Sequence, residues 1–148
     1  SGEIDDDTEC RGIDGRAQTL GARLLRCHRL GILGHALGMA SGSGVTLVIE
    51  SAKMPLLRGA PRLAEKGYIT GGCKRNREYL SDKMTIDKSI REGLVEIALD
   101  PQTSGGLLLA VAKRHAAKLV EDLHAAGVTH ATEVGYATSL QKAWVRLV

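Results

Sequence analysis

Two observations predict an α/β (α+β) fold in which helices pack on a single mixed sheet. Short apolar runs alternate with segments whose apolar residues recur at helical spacing, a pattern typical of helices packed on a sheet. The chain has 148 residues, of which 43% are hydrophobic and 25% charged, and this suffices for one domain with a sizeable core. Since phenylalanine is absent and aromatic residues make up 3%, the core must rest on leucine, valine, isoleucine and alanine.

The chain changes character near Leu30. Before it, an acidic stretch (Asp5, Asp6 and Asp7) is followed by scattered arginines, with little periodicity (Arg11, Arg16, Arg23, Arg26 and Arg29). Such a pattern offers no core-facing side. We therefore separate an atypical N-terminal segment, residues 1–30, from a domain formed by residues 31–148, and expect the compact fold to start close to Leu30.

Three elements are predicted in the first half of the domain. Apolar side chains at helical spacing predict a helix over residues 30–40 (Leu30, Leu33, Leu37 and Ala40), which the glycine-rich residues 41–44 end. The β-branched, apolar residues 45–50 predict a strand. Pro61 suits the first turn of a short helix that runs to Lys66, with Gly67 as its C-terminal cap.

The second half is predicted to alternate between helix and strand. Residues 71–82 form a polar, basic connection, after which Asp87 or Ser89 caps a helix whose apolar stripe is buried (Ile90, Leu94 and Ile97). Residues 107–112 predict a strand buried on both faces. A helix over residues 115–126 turns four apolar side chains inward and is capped by Gly127 (Ala116, Leu119, Val120 and Leu123). Residues 132–136 and 143–148 are predicted to form the last two strands.

The most informative segment is Asp-Pro-Gln-Thr-Ser-Gly-Gly-Leu-Leu at residues 100–108. Pro101 ends the preceding helix, because proline lacks an N–H and restrains the residue before it. The pair Gly105 and Gly106 allows two alternatives: a positive φ, or a close approach of the backbone to another chain or ligand.

This segment resembles the motif found in the C-terminal domain of selenophosphate synthetases (selenide, water dikinases). The resemblance extends through residues 31–50, 54–67 and 71–80, in the family's order, and covers roughly residues 31–134. It implies a layered domain like the C-terminal domain of aminoimidazole ribonucleotide synthetase, with partial similarity to ferredoxin-like topology. The implied activity is the ATP-driven conversion of selenide and water to selenophosphate, AMP and phosphate, which belongs to selenium metabolism.

The resemblance also implies what this chain lacks for that chemistry. The family uses ATP and Mg²⁺, and it keeps its reactive cysteine or selenocysteine, a lysine and most metal-binding aspartates in an N-terminal half unlike residues 1–30. The C-terminal domain supplies one metal-binding aspartate in a Thr/Ser-Asp-Val-Thr-Gly-Phe-Gly segment. Arg26 stands at that position here, and its charge would repel Mg²⁺. We therefore predict no catalytic residue, no metal ligand and no tightly bound cofactor, and expect the chain alone to be inactive.

The residues before Gly31 match a change of reading frame. The codons C GAT GTC ACC GGC TTC, for Asp-Val-Thr-Gly-Phe, read one base earlier as CGA TGT CAC CGG CTT, which encodes the Arg-Cys-His-Arg-Leu of residues 26–30. Codons for residues 21–25 can similarly be read in the other frame as Val-His-Ala-Cys-Ser, which resembles the family's sequence. We interpret residues 1–30 as wholly or partly a frame-shifted translation, with ordinary divergence as the alternative.

The candidate site residues are the five between Pro101 and the following strand. Gln102, Thr103, Ser104, Gly105 and Gly106 could present hydroxyl and backbone N–H groups to a phosphate, or contact the family's N-terminal ATP-binding domain. A helix-to-strand turn is the alternative. Two neighbouring features have ordinary explanations: a basic cluster is expected in a solvated loop (Lys74, Arg75 and Arg77), and Asn76 is expected to bond backbone there. Packing or a surface position is expected for His35.

Composition narrows the competing functions. Three widely spaced cysteines without a C-x-x-C pair favour free thiols over a zinc site or disulfides (Cys10, Cys27 and Cys73). No apolar run could span a membrane, and the acidic start does not resemble a signal peptide, so we expect a cytoplasmic location. A formal charge of +3 is weak evidence for an anionic partner, and a solvated surface is favoured. The basic segments leave weak nucleic-acid binding as a third alternative, against which the scarcity of aromatic residues for base stacking counts, so we expect no nucleic-acid partner. The family implies a homodimer; a non-catalytic interaction module is the alternative function.

Overall fold

The computed structural model describes residues 23–27, 29–103 and 105–148. Its strands are β1 (Arg23–Arg26), β2 (Val45–Ile49), β3 (Met84–Ile86), β4 (Leu107–Ala110), β5 (Gly135–Ser139) and β6 (Val145–Leu147). Its α-helices in this part of the chain are α1 (Gly31–Ser41), α2 (Ala60–Glu65), α3 (Gly71–Leu80), α4 (Glu92–Leu99) and α5 (Lys113–Ala125). None of these helices is long and apolar enough to cross a lipid bilayer.

Four strands form a mixed sheet in the order β3-β6-β2-β5. Strand β6 runs parallel to both β3 and β2, whereas β5 pairs antiparallel with β2. Strands β1 and β4 form a separate antiparallel pair, in which Arg26 lies opposite Leu107. The predicted α/β (α+β) class, with helices packed on a mixed sheet, is confirmed.

Helix α1 forms the centre of the core. Its buried side chains pack with the inner faces of β2 and β6 and with the buried side of α4 (Leu33, Ala36, Leu37, Met39, Val95, Leu99, Val145 and Leu147). Gly31 begins the helix with a φ of +66°, and a Cβ there would lie 2.6 Å from the carbonyl oxygen of Ala98. A side chain at residue 31 would therefore separate α1 from the end of α4.

Several predicted elements are confirmed. Helix α1, strand β2 and helix α2, with proline in its first turn, lie where the sequence places them. Gly67 and Gly127 follow their helices with positive φ values of 84° and 90°, as C-terminal caps require. Helix α5 keeps its predicted apolar side chains half-buried, and none of its residues is fully buried.

The predicted loop over residues 71–82 is wrong, because residues 71–80 form helix α3. Thr70 is extended and precedes the first turn, and three side chains at helical spacing are buried (Cys73, Asn76 and Leu80). This inner face holds only two apolar groups and an amide, so the helical spacing was hidden by the surrounding charges. The short strand β3 that follows it was not predicted.

Two predicted burial patterns also need correction. Helix α4 buries Val95, Ala98 and Leu99, whereas the predicted stripe of Ile90, Leu94 and Ile97 is half-buried. Helix α4 begins at Glu92 without a side-chain cap, so neither predicted residue caps it. The Asp87 carboxylate accepts hydrogen bonds from the backbone N–H and hydroxyl of Ser89 at 2.8 and 2.7 Å. Strand β4 is not buried on both faces, since Leu107 is 50% exposed.

The boundaries at both ends differ from the predictions. Strand β1 pairs with β4, so paired structure begins by Arg23 rather than close to Leu30. The closing strand predicted over residues 132–136 is β5, Gly135–Ser139, while β6 lies within the predicted residues 143–148. Gly135 marks the start of β5 because its backbone passes close to β2: a Cβ there would lie 1.9 Å from the carbonyl oxygen of Val48.

Candidate functional site

Three segments that are distant in sequence meet beside the predicted site residues. They are the described residues of 27–31, before and at the start of α1; residues 70–76, which begin α3; and the described residues of 99–106, which run from the last residue of α4 to the start of β4. Backbone hydrogen bonds, one buried amide side chain and close glycine contacts join them. We call this region the three-segment junction.

The first connection joins residue 27 to the glycine pair. The Cys27 N–H donates to the carbonyl oxygen of Gly106 at 2.8 Å. A Cβ on Gly105 would lie 1.7 Å from the Cys27 carbonyl oxygen. Gly105 is not among the glycines with positive φ. Of the two alternatives for this pair, the structure therefore selects the close backbone approach.

The second connection is made by Asn76, a residue that is 7% exposed. Its Nδ2 donates to the carbonyl oxygens of Arg29 at 3.0 Å and of Leu99 at 2.8 Å. One amide therefore links the turn before α1 to the end of α4. The prediction that Asn76 bonds backbone is confirmed, although it does so from a helix.

The third connection joins the start of α3 to the end of α4. Thr70 donates its hydroxyl to Asp100 Oδ1 at 3.1 Å, and the Cys73 thiol lies 3.6 Å from the same oxygen. Gly72 packs against the ring of Pro101, where a Cβ would lie 2.4 Å from Pro101 Cγ. As predicted, α4 ends just before Pro101.

Three of the predicted site residues, Gln102, Thr103 and Gly106, lie on the outer side of this junction. Gln102 and Thr103 are exposed, and Gly106 has open space where a Cβ would be, whereas Gly105 is half-buried. Ser104 lies outside the described residues. The exposed members can contact a ligand or another protein segment, while Gly105 holds the segment against residue 27.

The basic cluster is divided by the α3 helix. Lys74 and Arg75 are exposed to solvent, whereas Arg77 turns toward α4. Its guanidinium donates to Glu92 Oε1 and, at 2.6 Å, to Glu96 Oε1. Arg77 is therefore engaged in joining two helices, and only Lys74 and Arg75 remain exposed to an outside anion.

The histidines do not form a catalytic pair within the described residues. His35 is buried in α1, and His124 Nε2 lies 2.7 Å from the carbonyl oxygen of Ala131. His115 is half-buried and His130 exposed, while His28 lies outside the described part. In that same part of the chain, no three His, Cys, Asp or Glu side chains form a group that could hold a metal ion.

Two cysteine thiols are buried at the junction. Burial raises the pKa of the Cys27 thiol from 9.0 to about 11, because the surrounding protein disfavours the thiolate. Burial likewise raises the pKa of the Cys73 thiol, an effect that hydrogen bonding with Thr70 partly opposes. Both thiols are free, as expected, and neither is suited to act as a nucleophile at neutral pH.

We predict that Cys27 resists alkylation in the folded chain. Iodoacetamide at pH 8, followed by peptide mass spectrometry, should label it far more slowly in buffer than in urea, since attack needs an accessible thiolate. The raised pKa also lowers folding stability as the pH rises from about 9 towards 11, because the unfolded chain ionises first. Equal labelling of Cys27 in buffer and urea would contradict the burial of this residue.

Sequence comparison identifies the class of domain to which this mixed sheet and its central helix belong. The sequence profile of the AIR synthase related protein, C-terminal domain, matches residues 29–147. The chain belongs to this family.

Curated relatives point to a particular group within it. The chain is 45% identical over 94 residues to a selenide, water dikinase of Caldanaerobacter subterraneus subsp. tengcongensis, covering 64% of this chain and 27% of the relative. It is 39% identical over 112 residues to selenide, water dikinase 2 of Peptoclostridium acidaminophilum, covering 76% and 32%. A selenide, water dikinase of Clostridioides difficile is 39% identical over 105 residues, covering 71% and 30%. The chain thus spans about a third or less of these relatives.

Proposed function

We propose that this chain is the C-terminal domain of a selenide, water dikinase and contributes to that activity only within a longer polypeptide. The observation that best supports this proposal is the sequence identity of 45% over 94 residues with the Caldanaerobacter selenide, water dikinase. The present chain covers 27% of that relative. The reaction proposed for the longer protein converts ATP, selenide and water to selenophosphate, AMP and phosphate.

Within that enzyme, the exposed side of the three-segment junction is the proposed contact surface. Gln102, Thr103 and Ser104 are proposed to meet a phosphate or the N-terminal ATP-binding domain. The exposure of Gln102 and Thr103 supports this role, as does the opening beside Gly106. Gly105 supports the surface from behind through its contact with Cys27.

ATP and Mg²⁺ are the substrate and metal proposed for the longer protein. The described residues do not bring together a set of metal ligands, and Arg26 occupies the position at which the family resemblance implies an aspartate. The donors here do not fit Mg²⁺, so we assign these residues no metal-dependent step. A homodimer in the cytoplasm, without nucleic acid or membrane partners, completes the proposal.

The 148-residue chain is predicted not to form AMP from ATP in a selenide-dependent manner. The expected result is no AMP above the heat-denatured control when radiolabelled ATP and selenide are supplied. Changing Arg26→Asp alone should not restore activity, because it returns one ligand of several. Selenide-dependent AMP formation that is lost on heat denaturation would contradict this prediction.

A longer polypeptide tests the proposed function itself. In this polypeptide, the remaining sequence of the Caldanaerobacter relative precedes residues 31–148 of the present chain. Asp-Val-Thr-Gly-Phe replaces residues 26–30. Selenide-dependent AMP formation is expected from this protein. A matched version that keeps the present residues 26–30 should be far less active. A folded but inactive restored protein would overturn the proposal.

A further inference from the structure

Helix α5 has an apolar side that is not packed into the core. Four apolar residues recur there at helical spacing, and each is half-buried (Ala116, Leu119, Val120 and Leu123). No residue of α5 is fully buried. Among the described residues, the apolar core and the side chains packed against it include none from α5. This side of the helix is therefore open to a further contact.

Unpaired basic side chains adjoin this apolar side. Lys113 and Arg114 are exposed. Lys113 lies seven residues before Val120 and so shares its side of the helix. The ion pair on α5 joins Lys118 to Asp122. It leaves Lys113 and Arg114 without a carboxylate partner among the described residues. We call the four apolar residues, together with Lys113 and Arg114, the α5 face.

Residues 1–22 join the described structure beside the start of α5. Strand β1 runs antiparallel to β4, with Arg23 opposite Ala110, the last residue of β4. Helix α5 begins three residues later, at Lys113. The segment therefore enters the fold next to the connection that leads into α5. A tethered segment meets such a neighbouring surface at a high effective concentration.

Residues 1–22 also carry the charge that complements the α5 face. They contain six acidic and two basic residues of a chain total of 17 and 20, which leaves 11 acidic and 18 basic residues in 23–148. Residues 5–7 are three consecutive aspartates. The fifteen residues between this run and Arg23 span up to about 50 Å when extended. A helix of 13 residues is only about 20 Å long, so the run can reach either end of α5.

We propose that residues 1–22 of the same chain dock on the α5 face, with the aspartates of residues 5–7 beside Lys113 and Arg114. The few apolar side chains of the segment cover the apolar residues of α5 (Ile13, Ala17 and Leu20). Because these side chains are few, the contact is chiefly electrostatic and weakens as the salt concentration rises. While docked, the segment shields α5 from other partners. The proposal uses only residues of the 148-residue chain and is independent of the proposed function.

A spin label on Cys10 tests the docking in the intact chain. Cys27 and Cys73 are buried, so a methanethiosulfonate nitroxide reacts with Cys10, and Cys10→Ser gives the unlabelled reference. At low salt, the nitroxide should broaden the ¹⁵N amide signals along α5 more strongly than those along α2. Equal broadening of the two helices, or no broadening of α5, would overturn the proposal.

Charge variants test whether the α5 face itself holds the segment. Lys113→Gln combined with Arg114→Gln should lower the broadening of α5 about two- to fivefold. Arg62→Gln combined with Lys66→Gln removes the same charge from exposed positions near α2 and should leave the broadening unchanged. If the two double variants have equal effects, overall charge rather than the α5 face attracts the segment, and the proposal fails.

Mixed labelling tests whether the segment comes from the same chain. Spin-labelled ¹⁴N chains are mixed with ¹⁵N chains that carry Cys10→Ser, so that only contacts between chains broaden the observed signals. Broadening of α5 should be far weaker in this mixture than within one labelled chain. Equal broadening would assign the α5 face to the segment of a second copy and overturn the assignment to the same chain.

Discussion

Gly105→Val is expected to lower the free energy of unfolding by about 3 kcal/mol or more. The new Cβ would lie 1.7 Å from the carbonyl oxygen of Cys27, far inside van der Waals contact. Since that oxygen belongs to the backbone, it cannot rotate away as a flexible side chain would. Relief requires residues 27 and 105 to separate, which also strains the hydrogen bond from the Cys27 N–H to Gly106. Urea denaturation followed by circular dichroism measures the loss.

Gly106→Val is the matched control for this change. It introduces the same side chain one residue later, where no atom lies within 4 Å of the added Cβ. We expect a change within about 1 kcal/mol, set mainly by backbone propensity. Equal destabilisation by the two variants would show that chain entropy, rather than the contact with Cys27, makes glycine necessary at residue 105.

Asn76→Ala is expected to cost about 2–4 kcal/mol, because two backbone carbonyls lose their shared donor. The amide joins Arg29 to Leu99, so the loss should also loosen the turn before α1 relative to the end of α4. Hydrogen exchange should accelerate in the first turn of α1 and in the last turn of α4 more than in β2. Urea denaturation gives the energetic cost independently.

Arg75→Ala provides the comparison within the same helix. Arg75 is exposed and next to Asn76, and its replacement should leave the unfolding free energy within about 0.5 kcal/mol of the original. If Asn76→Ala is no more destabilising than Arg75→Ala, water satisfies the two carbonyls. The amide would then not be required to join the segments.

The sequence was sufficient to predict elements whose local signals agree with their packing. Helix α1 was predictable because its apolar spacing and the following glycines indicate the same boundaries. Helix α2 was predictable from Pro61 and Gly67, since both residues mark helix ends through their backbone preferences. These signals act over a few residues and need no knowledge of distant partners.

Elements stabilised by distant partners were harder to predict. Helix α3 carries many charges, and its burial depends on Asn76 reaching two carbonyls in other segments. Helix α4 contains apolar residues on more than one face. Spacing alone therefore predicted burial of the side that is half-buried, and not of the side with Val95, Ala98 and Leu99. In both cases the partner helix determines which side is buried.

The same difference between local signals and distant contacts applies to the candidate site. A requirement for glycine near residue 105 was predictable, because a glycine pair between a proline and an apolar run indicates a backbone conformation or a close approach that a side chain would prevent. The reason for that requirement was not, since Cys27 is distant in sequence.

The position of β6 has a consequence for the order in which the molecule assembles. Strand β3 finds its partner in the four-stranded sheet only in β6, and β6 also lies against β2. In a chain still growing on the ribosome, β2 must wait for residues 135–139 before it can pair with β5, and β3 must wait for residues 145–147, so the four-stranded sheet forms only after helices α1 to α5 have been synthesised. The nascent chain therefore exposes apolar surface for most of its synthesis, and the long loop closures should make the final step slow.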